Sequence, residues 1–179
     1  MAETIGLLSA EEFAEIFSIL SCSFPTEEYR AEEGQRALFA QPEYRVYGYR
    51  EDGVLLGILA AWELKSVRFC EHLAVAPEAR NRGVGKKLLS RYLEQEKRPM
   101  VLEVEYPETD LARRRIVFYQ RLGLHLNEFP YLQMPLRAGD EPLPLYIMSY
   151  PKPVGQEAFR PWKREIYGRV YGVFEENLL

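Results

Sequence analysis

Cysteine and histidine are both scarce in this chain, with two of each in 179 residues. Cys22 and Cys70 cannot build a disulfide framework, and two histidines allow no zinc quartet of ordinary spacing. No run of about 18 apolar residues occurs, which excludes a membrane-spanning helix. Basic charge is not in excess either: 23 Lys and Arg stand against 27 Asp and Glu, a net charge of −4. A chain with that balance is not built around nucleic acid, so any anion site must come from local clustering. The segment from Met1 to Phe13 lacks a basic stretch and carries Glu3, Glu11 and Glu12, unlike a secretion signal. Together these absences lead us to expect a reduced, cytoplasmic, metal-free protein with neither a membrane nor a nucleic acid as partner.

What is present is globular. Apolar residues make up 47% and charged residues 28%, and a chain of this length can bury roughly 70% of its unfolded surface without a disulfide or metal. Ser9 and Glu12 form a capping box ahead of Phe13, Ile16, Phe17 and Leu20 at helical spacing. Thr26 caps a second predicted helix ending near Ala40. Tyr44 to Arg50 alternates, Asp52-Gly53 signals a hairpin turn, and Val54 to Trp62 is a long apolar run. A further strand covers about Val67 to Val75. Val84, Leu88, Leu89, Tyr92 and Leu93 trace one helix face. Met100 to Tyr106 alternates as a strand, and Thr109 or Asp110 caps a helix that stops at Leu122-Gly123. Tyr131–Leu136 and Leu143–Tyr150 read as strands, with Pro135, Pro142 and Pro144 placing them at edges or strand ends. Phe159, Trp162, Ile166, Val170 and Phe174 trace a terminal helix from about 157 to 175. The order ααβββαβαββα is an α/β (α+β) domain, with helices flanking a mixed, largely antiparallel sheet.

The densest signal runs from Glu71 to Leu89: a strand, a short loop, a glycine-rich turn and a helix. The first N–H groups of a helix have no internal partner and carry the positive end of its dipole. Gly83 and Gly85 let that backbone approach a phosphate, and Arg80, Arg82, Lys86 and Lys87 add local positive charge. The spacing predicts a phosphate or pyrophosphate ligand. A dinucleotide fingerprint needs a third glycine where Leu88 stands, and no P-loop spacing exists.

The arrangement Arg80-x-x-Gly83-x-Gly85 resembles the acetyl-CoA pyrophosphate signature of the GNAT acetyltransferase superfamily. Leu73-Ala74-Val75 and Pro77 resemble the strand and turn that precede it there. Phe118-Tyr119-Gln120-Arg121-Leu122-Gly123-Leu124 resembles the family's second motif. The resemblance covers roughly residues 45 to 150. It implies a GNAT-like domain over residues 1–150 and a C-terminal helical extension over 151–179, packed on the same domain or on a partner subunit. It also implies acetyl-CoA as co-substrate, held by Leu73, Ala74, Val75, Arg80, Asn81, Arg82, Gly83, Val84, Gly85 and Lys86. The expected reaction is direct acetyl transfer to an amine of a small molecule or peptide, with no metal. A homodimer is a candidate assembly.

Acyl transfer to an amine needs a proton acceptor for the amine and a proton donor for the departing thiolate. The family resemblance implies Tyr119 as the donor, a phenol neutral at pH 7. Three glutamates are candidate acceptors. Glu71 lies on the strand before the turn; Glu103 and Glu105 lie two apart, on one face of the next strand. Solvated or ion-paired roles remain open for each. His72 is expected to face away from Glu71 and, with His125, to be structural, and Phe118 is expected to lie in the core. Arg113 to Arg115 could meet a CoA phosphate or form a solvated face. Phe24, Tyr29, Phe129 and Tyr131 could wall an acceptor site or simply pack. Tyr106-Pro107-Glu108 stands where the family often has asparagine, so that residue's role does not carry over. Two other readings are a CoA-binding sensor or interaction module without catalysis, and a nucleotide-binding protein using the same turn.

Overall fold

The computed structural model describes residues 1–174, so the last residues of the expected C-terminal extension, 175–179, lie outside the described residues. Seven strands and five α-helices occur in the described chain. They are β1 (Glu3–Leu7), α1 (Phe13–Ser23), α2 (Glu32–Ala37), β2 (Tyr44–Glu51), β3 (Val54–Glu63), β4 (Arg68–Val75), α3 (Val84–Glu94), β5 (Met100–Val104), α4 (Asp110–Arg121), β6 (His125–Gln133), β7 (Leu143–Tyr150) and α5 (Gln156–Val170). The strand order is β1-β2-β3-β4-β5-β7-β6. β4 and β5 pair in parallel, whereas the β1–β2, β2–β3, β5–β7 and β6–β7 pairs are antiparallel. This is the mixed, largely antiparallel sheet that the sequence pattern implies. The chain divides into two compact units, Met1–Glu63 with Cys70–Glu96, and Leu64–Phe69 with Lys97 onward.

In the first unit, β2 and β3 turn back through Asp52 (φ 49°) and Gly53 (φ 84°). Two successive positive φ values fit a type I′ turn, whose twist matches that of the strands it joins. β3 is buried from Leu55 to Trp62, as expected for a strand covered on both faces. Gly57 lets α3 press onto β3: a Cβ there would lie 2.7 Å from Val84 Cγ1 and 3.0 Å from Leu88 Cδ1. α1 buries Phe13, Ile16, Ile19 and Leu20, and Phe13, Phe39, Tyr44 and Trp62 form a chain of ring contacts.

Two expectations are corrected here. The segment before Ser9 forms β1, which pairs with β2 from Glu3↔Glu51 to Leu7↔Tyr47. Its five residues include Gly6 and have little burial on either face, so they show no alternating pattern; the open edge of β2 supplies the partner. The single helix expected from Thr26 to Ala40 is instead a 3-10 turn at Thr26–Glu28, then α2, then a second 3-10 turn at Leu38–Ala40. Tyr29 (φ −143°) and Ala31 (ψ 154°) are extended between the first turn and α2.

In the second unit, α4 begins where the Thr109 side chain accepts from the Ala112 N–H at 3.1 Å. It ends in a Schellman motif: Gly123 (φ 92°) donates to Gln120 O at 3.0 Å and Leu124 to Tyr119 O at 3.1 Å. β6 is the outer strand, with a register irregularity between Asn127 and Tyr131 where Pro130 falls. Pro144 precedes the part of β7 that pairs with β5, consistent with a strand-end proline. α5 packs within this unit. Phe159 meets Phe129 and Tyr131 at 5.2 and 5.8 Å between ring centroids, and the Tyr171 hydroxyl donates to Glu103 at 2.8 Å.

Candidate functional site

The glycine turn is built from local conformation. After Val75 the chain makes a 3-10 turn at Pro77–Ala79, and Asn81 and Gly83 then take left-handed conformations with φ of 62° and 79°. Gly83 sits at the N-cap of α3 and has no side chain to cap it. The first helical bond runs from Lys87 N–H to Gly83 O at 3.0 Å, so the N–H groups of Val84, Gly85 and Lys86 precede it, as at any helix start. A Cβ on Gly83 would meet nothing within 4 Å. Space is not what the position requires, and the glycine serves its backbone conformation. Val84 and Leu88 anchor the helix beneath.

The four cations of the turn are not equivalent. Arg82 donates twice to Glu51, at 2.7 and 2.8 Å. Lys87 donates to both oxygens of Glu3, at 2.8 and 2.7 Å, and lies over the Tyr49 ring. The hydrogen bond to Glu3 raises the Lys87 pKa. Arg80 Nε donates to Val75 O at 3.3 Å, while Lys86 is exposed. Two of the four charges are thus already countered by acids on β1 and β2, which sequence separation hid. On β4, Leu73 and Val75 are half-buried and Ala74 is buried.

Glu71, also on β4, has a side chain only 4% exposed, and its Oε1 lies 2.9 Å from Arg30 Nη2. Burial pushes its carboxyl upward, but the charge of Arg30, joined by His72 when that ring is protonated and by hydrogen bonds from Arg30 and Trp62, outweighs burial and holds it below the usual carboxylate value. His72 does not turn away from Glu71, as strand alternation predicts. Its ring packs edge-on to Phe24, donates from Nε2 to the Glu28 carbonyl at 2.7 Å, and brings Nδ1 within 3.6 Å of Glu71 Oε2. Sequence reasoning missed Arg30. The available signal was one arginine amid Glu27, Glu28, Glu32 and Glu33.

The second unit holds Tyr119, Glu103 and Glu105. Tyr119 is half-buried on α4, its ring 5.2 Å from that of Phe118. Phe118 is not a core residue. It is half-buried and, with Asp110, Arg113, Arg114, Val117 and Arg121, lines a shallow groove of about 460 Å³ along α4. Glu105 lies just past the end of β5 and pairs with Arg115 at 3.0 Å, both partly exposed. Glu103 accepts from Tyr131, Gln133 and Tyr171 at 2.6, 2.6 and 2.8 Å. Tyr29 packs on Phe17, and Phe129 and Tyr131 pack on Phe159. Among the described residues no group of three or more His, Cys, Asp or Glu is placed to hold a metal ion, and no helix is long and apolar enough to cross a membrane.

Comparison with known proteins gives a consistent answer. A solved GNAT-family putative acetyltransferase from Bacteroides thetaiotaomicron is 33% identical, covers 95% of this chain and 99% of its own, and superposes with a TM-score of 0.86. The peptidyl-lysine N-acetyltransferase YiaC of Escherichia coli (strain K12) is 36% identical over 103 residues, which is 58% of this chain and 61% of YiaC. The fold is also shared with yncA of Salmonella typhimurium, a putative acetyltransferase solved with acetyl-CoA (TM-score 0.62, 18% identity, 87% of this chain and 97% of that one). Residues 13–124, including the whole turn and the whole second motif, match the model of the Acetyltransferase (GNAT) family, and the chain belongs to that family.

Proposed function

We propose that this acetyltransferase moves the acetyl group of acetyl-CoA to an amine of a small molecule or peptide by direct transfer, with a peptide lysine as the first acceptor to test. The turn at the head of α3 carries the reading. Gly83, exposed at the N-cap with φ 79°, leaves the first N–H groups of α3 without a capping side chain, which suits a pyrophosphate. Arg80 and Lys86 are the cations available to support it, and the β4 backbone from Leu73 to Val75 offers amide and carbonyl groups to the pantetheine arm. Acetyl-CoA supplies an activated acyl group and a thiolate leaving group. The chain supplies proton handling. Tyr119 is a neutral phenol that can donate a proton, and Glu71 and Glu105 are the proton acceptors. A peptide lysine ranks first because YiaC, 36% identical over the aligned stretch, is a peptidyl-lysine N-acetyltransferase.

The test is thiol release from acetyl-CoA with lysine peptides, α-amino peptides and small amines, using the wild type and Tyr119→Phe. The wild type should turn over with at least one amine class. Tyr119→Phe should stay folded, bind acetyl-CoA as before, and lose about 10²-fold in turnover, the scale of one positioned acid. A wild type that releases thiol with no amine defeats the proposal. A Tyr119→Phe variant that loses stability but keeps its turnover makes that tyrosine a packing residue.

A further inference from the structure

Three ionisable side chains are buried together in the first unit: Glu71, His72 and Arg30, at 4%, 3% and 11% side-chain exposure. Arg30 takes one carboxylate oxygen, Oε1, at 2.9 Å. The other, Oε2, faces His72 Nδ1 at 3.6 Å. The far imidazole nitrogen, Nε2, lies 2.7 Å from the Glu28 carbonyl. A carbonyl can only accept, so Nε2 carries the hydrogen, and Nδ1 of the neutral ring presents a lone pair. Nδ1 and Oε2 are therefore two buried acceptors 3.6 Å apart, and Nδ1 receives no hydrogen bond. A ring serving only to tie Glu28 to β4 would need its Nε2–H alone. One proton between Nδ1 and Oε2 would satisfy both.

We propose that His72 is the proton-holding partner of Glu71: a proton taken by Glu71 from an acceptor amine passes from Oε2 to Nδ1 and is held there during acetyl transfer. The inference rests on the amine-acetylation reading above. The amine N–H bond breaks as an Oε2–H bond forms. The Oε2–H bond then breaks as Nδ1–H forms, and each electron pair stays on the atom that loses the proton. The resulting imidazolium donates from Nδ1 to Glu71 and from Nε2 to Glu28. The proton leaves to solvent after the product departs. His72 acts through Glu71 and is a positioning residue.

The surrounding groups support this order. The carboxyl beside Arg30 is held low and retains a proton poorly. Burial keeps the imidazole below its usual value, so it is neutral at rest, although Glu71 and the Glu28 carbonyl pull the other way. Arg30 opposes the imidazolium. Further neighbours include the Phe24 ring against the imidazole, Trp62, a hydrogen-bond donor to Glu71, and Tyr44 on the Glu71 side.

Two measurements test it. Nitrogen-15 NMR of the full chain, with no acceptor present, should show the Nε2–H tautomer of His72 at pH 7. Nδ1 should protonate on acidification, with a midpoint lowered in Glu71→Gln. An Nδ1–H tautomer overturns the proposal without any variant, as does a midpoint indifferent to Glu71→Gln. The second measurement uses His72→Gln, which can still donate to Glu28 but cannot take up a proton. With a lysine peptide that the wild type acetylates, its turnover should fall about 10²-fold, the acid limb of the pH profile should move, and acetyl-CoA affinity should hold. Wild-type turnover with an unmoved profile overturns the proposal. A wild type inactive on every amine instead defeats the acetylation reading.

Discussion

A carboxylate removed from water needs a cation or several donors, and the three candidate glutamates solve this in three ways. Glu105 stays half-exposed beside Arg115, a pairing of the kind worth about 0–1 kcal/mol. Glu103 collects three neutral donors. Glu71 is buried and depends on Arg30. That difference predicts a pH response. Glu71 has a folded pKa below its unfolded one, so its stabilisation is present at neutral pH and is lost as pH falls through the folded value. His72 is also lowered. Below its unfolded value, about 6.5, the unfolded chain gains a proton that the folded chain resists. Both effects destabilise on acidification, the histidine first. We expect melting temperature to fall as pH drops below about 6.5 and to fall further in the carboxylate range. In His72→Gln the first limb should shrink. Thermal melts across pH 4 to 8 decide this, and a wild-type melting temperature that rises between pH 7 and 5 contradicts it.

At the scale of the element, Gly57 and Gly83 meet at the same helix for different reasons. Gly57 makes room: an added Cβ would press on Val84 and Leu88, and 3.3 Å away on the Ala74 carbonyl. Gly83 has room and supplies a left-handed backbone. Gly57→Ala should therefore cost about 1–3 kcal/mol through overpacking and leave acetyl-CoA affinity nearly unchanged. Gly83→Val puts a β-branched residue at φ 79°, where it is an outlier. It should weaken acetyl-CoA binding more than it lowers stability, since the strain falls on the N–H groups proposed to meet the pyrophosphate. Calorimetry beside thermal melts separates the two, and equal effects in both variants would remove the distinction. The same contrast marks what was legible in the sequence. The α3 face, the Thr109 cap and the Gly123 stop depend on residues within one turn of each other, and all are found as read. The Arg30–Glu71 pair joins residues 41 positions apart by sequence number, and the Glu51 and Glu3 counter-ions are brought in by strand pairing. No local pattern encodes either. β1 escaped because its five residues bury little and exist as a strand through what β2 offers.

For the molecule as a whole, the terminal helix shows how much of the fold lies beyond the matched family segment, which ends at residue 124. α5 buries Phe159, Ile166, Tyr167 and Val170, side chains worth about 1.5–3 kcal/mol each when fully buried. Typical net stability is about 5–15 kcal/mol, so these four are comparable with the entire margin. The Tyr171 hydroxyl adds one donor to Glu103, which keeps Tyr131 and Gln133 without it. Two variants should therefore behave very differently. Tyr171→Phe removes one bond to a charged acceptor and should cost about 1.5–3 kcal/mol, with the fold intact. A chain ending at Gly155 uncovers Phe129 and Tyr131, which now pack on Phe159. It should lose the packing of β6 and melt broadly or aggregate. Near-ultraviolet circular dichroism of the two variants, read with their melts, makes the comparison. A truncated chain with the wild-type melting temperature and aromatic signal would show that the second unit holds its core without α5, and that these four side chains stabilise only the helix that carries them.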